Sequence, residues 1–234
     1  MAEKISNFEH GLVALHEPIS VISDRYRMLF AKTDSLCRKQ EKKVVAFTSA
    51  MKGEGKTTTT ANVAVVGARD FGKRCLLIDG DFRNPTLAKR FGINEGPGLA
   101  NVVLEQSRLG DTIRRGPVAN LAILPMGRSE THPPEGEGKG EGNIWASKRI
   151  KDVLTEVRGW FDYVFVDAPP ILPLCDVNLI SESVDAVVIV VRSGAIPEQL
   201  LAQAIKSLDS SKIIGTVLNR AEMTWPSRYY QYGY

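Results

Sequence analysis

The chain has 234 residues, 43% of them hydrophobic and 24% charged, which is an ordinary composition for one well-packed α/β domain. Its formal net charge of +3 is too small to indicate nucleic-acid binding, and no run of about 18 apolar residues predicts a membrane span. Residues 1–20 mix Glu, Lys and His instead of forming a signal-peptide core, so we expect a cytoplasmic protein that binds no nucleic acid. Cys37, Cys75 and Cys175 are far apart and odd in number, which predicts reduced core thiols.

The chain divides by composition into three parts. Residues 1–40 form an extension with helix-like sequence at 19–33, residues 41–224 form the main domain, and residues 225–234 form a tyrosine-rich tail. Within the main domain, residues 128–143 are rich in Pro, Gly and Glu, which predicts a surface loop with the composition of a flexible linker.

In the main domain, β-like and helix-like segments alternate almost to its end. The predicted strands are residues 44–49, 74–79, 121–125, 162–167, 186–191 and 213–218. Several of them are continuously apolar, which is typical of strands covered on both faces. The pattern therefore predicts an α/β fold of the P-loop NTPase type, with a mainly parallel sheet and helices on both faces.

A glycine-rich segment between the first predicted strand and the next helix predicts a phosphate-binding loop. It reads Ala-Met-Lys-Gly-Glu-Gly-Lys-Thr over residues 50–57, with Ala50 where the strict pattern has Gly. Glycines let backbone N–H groups turn toward phosphate oxygens, Lys56 can reach the β- and γ-phosphates, and the Thr57 hydroxyl can ligate Mg²⁺. The alternative is an ordinary Gly-rich turn with a chance lysine, but the strand, loop and helix order favours the phosphate loop.

Acidic residues end two of the predicted strands. Asp79 and Asp81 follow one apolar run, and Asp167 follows another. In parallel sheets ligands bind beyond the carboxyl ends of the strands, so these side chains are suited to holding Mg²⁺ and to orienting a nucleophile. Asp167 could instead serve as a helix N-cap or turn residue, since Asp favours both positions.

Together these motifs resemble those of the bacterial tyrosine kinases, which are P-loop enzymes of polysaccharide synthesis and export. The loop at 53–57 resembles Walker A, the Asp-Gly-Asp-Phe-Arg block at 79–83 resembles Walker A′, and the run into Asp167 resembles Walker B. The family also carries a C-terminal tyrosine cluster. Here four of the six tyrosines fall in the last six residues, Tyr229, Tyr230, Tyr232 and Tyr234. A sticky stacking tail or chance aromatic enrichment is the alternative for that cluster.

The resemblance implies an ATP- and Mg²⁺-dependent protein-tyrosine autokinase that phosphorylates these four tyrosines. It assigns catalysis to Lys56, Asp79, Asp81 and Asp167, the metal to Thr57, Asp79 and Asp167, and the nucleotide to Lys52, Gly53, Glu54, Gly55, Lys56, Thr57, Thr58, Asn219 and Arg220. Asp81 would take or orient the phenol proton, since a free phenol titrates near pH 10. Asn219 resembles the adenine-reading position, although a plain strand-end cap explains it about as well.

One lysine supports a second interpretation. Lys52 lies four residues before Lys56, as in the deviant Walker A motif of partitioning and division-site ATPases, where the earlier lysine crosses a dimer interface. The alternative function is therefore a dimerising ATPase switch without kinase activity. The block of Asp79, Asp81 and Arg83 and the tyrosine tail favour the kinase.

The resemblance also implies partners. Family members assemble into rings through a Glu-x-x-Arg-x-x-Arg helix. Its three positions are occupied here by Asp24, Arg27 and Phe30, of which the first two fit the motif conservatively. Because Phe30 replaces an ion-pairing arginine, either an apolar contact substitutes or the homo-oligomer is smaller than a ring. Two further partners are expected from the resemblance. One is a separate membrane activator of the chain-length-determinant type, which would recruit the kinase to the inner face of the plasma membrane. The other is a tyrosine phosphatase.

Overall fold

The computed structural model describes residues 11–127, 144–172 and 176–221, residue 176 by its backbone only. The strands are β1 (Val44–Ser49), β2 (Cys75–Asp79), β3 (Arg114–Arg115), β4 (Leu121–Leu124), β5 (Tyr163–Asp167), β6 (Ala186–Arg192) and β7 (Ile213–Asn219). The helices are α1 (Val13–His16), α2 (Val21–Lys39), α3 (Lys56–Arg69), α4 (Leu87–Arg90), α5 (Leu99–Val103), α6 (Leu109–Thr112), α7 (Lys148–Trp160), α8 (Asp176–Ser183) and α9 (Glu198–Lys206). Short 3₁₀ turns occur at Ile144–Ala146 and Ser210–Lys212.

The seven strands form one sheet in the order β3-β4-β2-β5-β1-β6-β7. All neighbouring strands are parallel except β3 and β4. The strands β1, β2 and β5 are buried along their whole length, because they carry apolar side chains on both faces of the sheet. Their carboxyl ends lie side by side, and Asp79 pairs in register with Asp167. The predicted mainly parallel α/β sheet is confirmed.

Each of the six predicted strands forms with its ends within one residue of the prediction. The prediction missed β3, because two charged residues carry no alternating or apolar pattern. The predicted helix at 19–33 forms as α2, which is capped by the Ser20 side chain and continues to Lys39. It continues because Asp34 and Cys37, beyond the predicted end, are buried against the sheet.

Two apolar cores cover the two faces of the sheet. Phe30, on the inner face of α2, is fully buried in the core that also contains α3. Its ring packs so closely on Gly67 that a Cβ there would lie 2.3 Å from Phe30 Cε2. Of the two alternatives for Phe30, an apolar contact to another subunit is therefore wrong, since packing within its own chain buries the whole side chain; the alternative of a smaller homo-oligomer stays a prediction.

Polar and sulfur groups also join α2 to the sheet. The Tyr163 hydroxyl donates to Asp34 at 2.7 Å, and burial together with this carboxylate raises the pKa of Tyr163. Burial raises the pKa of Cys37 to about 11 and that of Cys75 to about 12, as expected for core thiols. Cys175 lies outside the described residues. None of the helices in the described ranges has the length and hydropathy needed to cross a bilayer.

Candidate active site

The phosphate loop connects β1 to α3 through two glycines with left-handed backbone. Gly53 has φ 90° and Gly55, the N-cap of α3, has φ 93°. At Gly55 a Cβ would lie only 2.1 Å from Nδ2 of Asn219, so glycine is required for space as well as for conformation. The loop therefore leads into the free N–H groups at the start of α3, which is the geometry of an anion site.

Two residues assigned to the nucleotide hold the loop in place here. The buried carboxylate of Glu54 accepts from the backbone N–H of Met51 at 2.6 Å and from that of Arg192 at 3.2 Å. The Asn219 amide donates to the Glu54 carbonyl at 2.8 Å, and its oxygen accepts from the Arg220 N–H at 2.9 Å. These bonds fasten the loop to the carboxyl ends of β6 and β7. An adenine-reading role for Asn219 and Arg220 stays a prediction.

Lys56 joins the loop to the strand-end carboxylates. Its Nζ lies 3.0 Å from Oδ2 of Asp81 and 3.7 Å from Oδ1 of Asp167, and it donates to the Thr57 hydroxyl at 3.5 Å. Asp79, Asp81 and Asp167 are all buried beside it. The structure thus brings together all four residues predicted to be catalytic. Lys52, at the tip of the loop, is exposed.

Burial and mutual repulsion dominate the electrostatics of this cluster. Burial and the nearby Asp167 raise the pKa of Asp79 to about 7, against the opposing effect of the Leu87 N–H. Burial also raises the pKa of Asp167, while Lys56 acts in the opposite direction. Burial lowers the pKa of Lys56, but Asp167 and Asp81 outweigh it, so the net shift is upward. Three carboxylates beside one lysine make the site attractive to a further cation.

The carboxylates differ in what they hold. Asp79 Oδ2 accepts from the N–H groups of Thr86 and Leu87, both at 2.9 Å, and so anchors the start of α4. Both oxygens of Asp167 are buried without a hydrogen bond of ordinary geometry from a described residue, and the Thr57 hydroxyl is near enough to act against the raised pKa of Asp167. Buried unsatisfied oxygens are costly, and a hydrated Mg²⁺ beside Thr57 would satisfy them.

The donor set therefore fits Mg²⁺ held with phosphate and water. No group of three or more His, Cys, Asp or Glu side chains arranged for metal binding occurs in the described part of the chain. In P-loop proteins, nucleotide phosphates and water supply several of the metal's oxygen ligands.

Two further side chains reach this site and were not predicted from the sequence. Trp145 donates its indole N–H to the Gly80 carbonyl at 3.1 Å, and Arg90 donates to the Thr58 hydroxyl at 3.3 Å. Neither residue belongs to a recognisable motif, so the sequence offered no signal for them. The four tail tyrosines and the loop at 128–143 lie outside the described residues.

Comparison with known proteins extends these observations. The family described as "AAA domain" matches residues 42–216. The tyrosine-protein kinase YwqD of Bacillus subtilis (strain 168) is 32% identical over 97% of this chain and 93% of its own length. The succinoglycan biosynthesis transport protein ExoP of Rhizobium meliloti (strain 1021) is 28% identical over 93% of this chain, which spans 27% of ExoP.

Solved structures agree with the sequence relatives. The chimerical protein CapA2B2 has a TM-score of 0.80 at 26% identity, covering 91% of each chain. The BceF tyrosine kinase domain has a TM-score of 0.78 at 30% identity, covering 93% of this chain and 85% of that one. The septum site-determining protein MinD of Pyrococcus horikoshii, complexed with Mg-ADP, shares only the fold, with a TM-score of 0.62 at 22% identity, covering 81% of this chain and 76% of that one. The chain therefore belongs to the bacterial tyrosine kinase family of P-loop proteins.

Proposed function

We propose that this chain is an ATP-dependent protein-tyrosine kinase that phosphorylates the tyrosines of its own C-terminal tail. The observation that carries the proposal is the contact of Lys56 with Asp81 and Asp167 at the mouth of the phosphate loop. It combines a cation for the phosphates with a carboxylate suited to receive a proton. The tyrosine-protein kinase YwqD, similar over nearly the whole chain, supports the same reaction.

In this mechanism most of the acceleration comes from positioning and charge neutralisation. Backbone N–H groups of residues 53–57 would cradle the phosphates, and Lys56 would offset charge that develops on the γ-phosphoryl group. Lys56 would leave Asp81 for the phosphates when ATP binds, which frees the Asp81 carboxylate. Thr57, Asp79 and Asp167 would hold Mg²⁺, the carboxylates through water, and the bound metal would neutralise phosphate charge.

The transfer step is an in-line displacement. The phenol oxygen of a tail tyrosine forms a bond to the γ-phosphorus as the bond to the β–γ bridging oxygen breaks, and ADP leaves. The phenol proton passes to Asp81, which compensates for the high pKa of a free phenol.

We also propose that transfer occurs between chains of a homo-oligomer. Tyr229, the first tyrosine of the tail, lies ten residues beyond Asn219, so the extended chain between them could span roughly 30 Å. A tail would have to fold back tightly to reach its own loop, whereas a neighbour's loop can be met by extended chain. In α2, Arg27 pairs with Asp24 at 2.6 Å and with Asp70 at 2.8 Å in its own chain. Assembly through this helix would therefore reuse or replace those ion pairs.

The name of one relative supports a proposal about the pathway. The printed name of ExoP refers to succinoglycan biosynthesis and transport. We propose that this kinase regulates polysaccharide synthesis or export, that a membrane activator recruits it to the inner face of the plasma membrane, and that a tyrosine phosphatase reverses its action.

Intact mass measured after incubation with ATP·Mg²⁺, with and without a tyrosine phosphatase, tests the kinase directly. We expect phosphatase-sensitive additions of phosphate that map to Tyr229, Tyr230, Tyr232 and Tyr234. Transfer between chains is tested by mixing a Lys56→Met chain with an active chain that lacks residues 225–234. Label on the inactive chain supports the proposal. Two results together would contradict transfer between chains. The inactive chain would carry no label, and the intact enzyme would label itself at a first-order rate that does not change on dilution.

The dimerising ATPase switch stays as a second candidate because of Lys52. This lysine is exposed at the tip of the loop, where a second subunit could meet it. If the chain is such a switch, Lys52→Ala should abolish ATP-dependent dimerisation, measured by light scattering, together with ATP hydrolysis. If it is the proposed kinase, tail phosphorylation should persist in this variant.

A further inference from the structure

Trp145 is a buried side chain that contacts the turn between two of the strand-end carboxylates. It lies in the 3₁₀ turn Ile144–Ala146, just before α7, and is 2% exposed. Its indole N–H donates to the carbonyl of Gly80 at 3.1 Å. Gly80 separates Asp79 from Asp81, so this bond acts on the backbone between two residues of the site.

Gly80 is held on its other side as well. Its N–H donates to the carbonyl of Asp167 at 2.9 Å. The space around it is closed, because a Cβ at this position would lie 2.9 Å from that carbonyl oxygen and 3.1 Å from Cζ2 of Trp145. The peptide units on either side of Gly80 are therefore clamped between the end of β5 and the indole ring.

This clamp bears on the spacing of the carboxylates. Asp79 is anchored by the start of α4 through Thr86 and Leu87, whereas Asp81 contacts Lys56. Rotation of the peptide after Gly80 would move Asp81 relative to both Lys56 and Asp79. The Trp145 N–H restrains that rotation, because the Gly80 carbonyl is the oxygen of that peptide unit.

We propose that Trp145 is a positioning residue for phosphoryl transfer, which fixes Asp81 through the Gly80 carbonyl. The inference rests on the role proposed above for Asp81 as the group that receives the phenol proton. Trp145 itself touches no reacting atom. Because the phosphate loop is a separate segment held by Glu54 and Asn219, loss of this hydrogen bond should impair the chemical step and leave nucleotide binding intact.

The test separates the N–H group from the bulk of the ring. Replacing Trp145 by 3-benzothienylalanine keeps the bicyclic shape and puts sulfur in place of N–H, whereas Trp145→Phe removes the donor and part of the ring. Trp160→Phe is the matched control, since Trp160 is 41% exposed at the end of α7. Each chain is compared for single-turnover tyrosine phosphorylation at saturating ATP·Mg²⁺, for ADP·Mg²⁺ affinity by calorimetry, and for hydrogen exchange of the amides at 80–84.

We expect the benzothienyl chain to transfer phosphate roughly five- to tenfold more slowly, the effect of losing one buried hydrogen bond. Its ADP affinity should stay within about twofold, and its amides at 80–84 should exchange severalfold faster. The Trp160→Phe chain should match the unaltered chain in transfer rate, ADP affinity and hydrogen exchange. An unchanged exchange rate, an unchanged transfer rate, or equal losses of rate and affinity would overturn the inference. Absence of tyrosine phosphorylation in the unaltered chain would instead count against the proposed function, and the exchange data would still decide whether Trp145 fixes the turn.

Discussion

The Nζ atom of Lys56 lies 3.0 Å from Oδ2 of Asp81, so the lysine proposed to bind phosphate contacts the carboxylate proposed as proton acceptor. Asp167 lies on the same ammonium group at 3.7 Å. In the proposed mechanism a bound nucleotide draws Lys56 away from these partners, and the same movement releases Asp81 for the phenol. In that mechanism the contact links occupation of the phosphate loop to the availability of the proposed proton acceptor.

Lys56→Met should abolish both nucleotide binding and phosphorylation, because it removes the ammonium group that faces the phosphates and leaves the carboxylates of Asp81 and Asp167 without their cation. We expect ADP·Mg²⁺ affinity to fall by roughly a hundredfold or more, since hydrogen bonds to charged groups contribute about 1.5–3 kcal/mol and the Coulombic loss adds to them. Calorimetry and radiolabelling measure the two effects. The control is Lys89→Met, which neutralises an exposed lysine on α4 and should change neither quantity. Labelling at a comparable rate in the Lys56 variant would mean that the cradle lies elsewhere.

Asp81→Asn should separate binding from chemistry. The amide keeps the shape of the side chain but cannot take the phenol proton, and general-base catalysis contributes about 10²–10⁴-fold. We expect single-turnover transfer to fall by roughly two orders of magnitude while ATP·Mg²⁺ affinity stays within a few-fold. If both quantities fall equally, Asp81 acts as a metal-site residue.

Gly55→Ala and Gly53→Ala form a matched pair for the loop. Both positions have left-handed backbone, but only at Gly55 would the new Cβ collide with Asn219, at 2.1 Å from Nδ2. Around a Cβ at Gly53, no described residue other than its chain neighbours lies within 4 Å. In the Gly53 variant the free energy of unfolding should therefore fall by about 1 kcal/mol, because of backbone strain alone. The Gly55 variant should also displace Asn219 and lose ADP affinity by at least about tenfold. Calorimetry measures the ADP affinity of each variant, and thermal unfolding measures its stability. Equal effects of the two substitutions would mean that Asn219 does not hold the phosphate loop in place.

Phe30→Ala should destabilise the fold by about 3–5 kcal/mol, because it opens a cavity between α2, Gly67 and the sheet. Met28→Ala is the control on the same helix, since Met28 is 72% exposed, and it should change the free energy of unfolding by less than about 0.5 kcal/mol. Urea unfolding of the two variants measures the difference. A small effect of Phe30→Ala would mean that α2 is not part of the cooperative core.

Asp79 should make the nucleotide-free protein less stable as the pH rises. Its pKa is about 7 in the folded chain and near 3.9 when unfolded, so between these values the folded state binds more protons than the unfolded state. The stability contributed by Asp79 is therefore largest at low pH and is lost as the pH rises toward the folded pKa. Between pH 5 and pH 7.5 the loss should be roughly 2–3 kcal/mol.

Asp79→Asn should remove this pH dependence, because the amide does not titrate in that range. Urea unfolding at pH 5 and pH 7.5 in the presence of EDTA gives the difference between the variant and the unaltered chain. Asp152→Asn, at an exposed position on α7, serves as the control. The prediction fails if all three proteins lose the same stability over this interval.

Much of this protein could be predicted from local sequence patterns. Apolar and β-branched runs identified six of the seven strands in the described residues, and the signal was strongest for β1, β2 and β5, which are covered on both faces and apolar along most of their length. The Gly-Lys-Thr ending between a strand and a helix located the phosphate loop, and Asp79 and Asp167 lie side by side because parallel strands end at the same edge of a sheet. In each case the determining signal lies within a few residues of the element that it predicts.

Tertiary structure alone decided which side chains meet. Glu54 braces the loop through the Arg192 N–H, 138 positions away, and Trp145 reaches Gly80 across 65 positions. Phe30, which by its helical position could have faced another subunit, is buried on Gly67 because α2 packs on α3. A local pattern identifies an element and its apolar face, but these contacts depend on how distant elements pack together, and that packing is settled only when the whole chain folds.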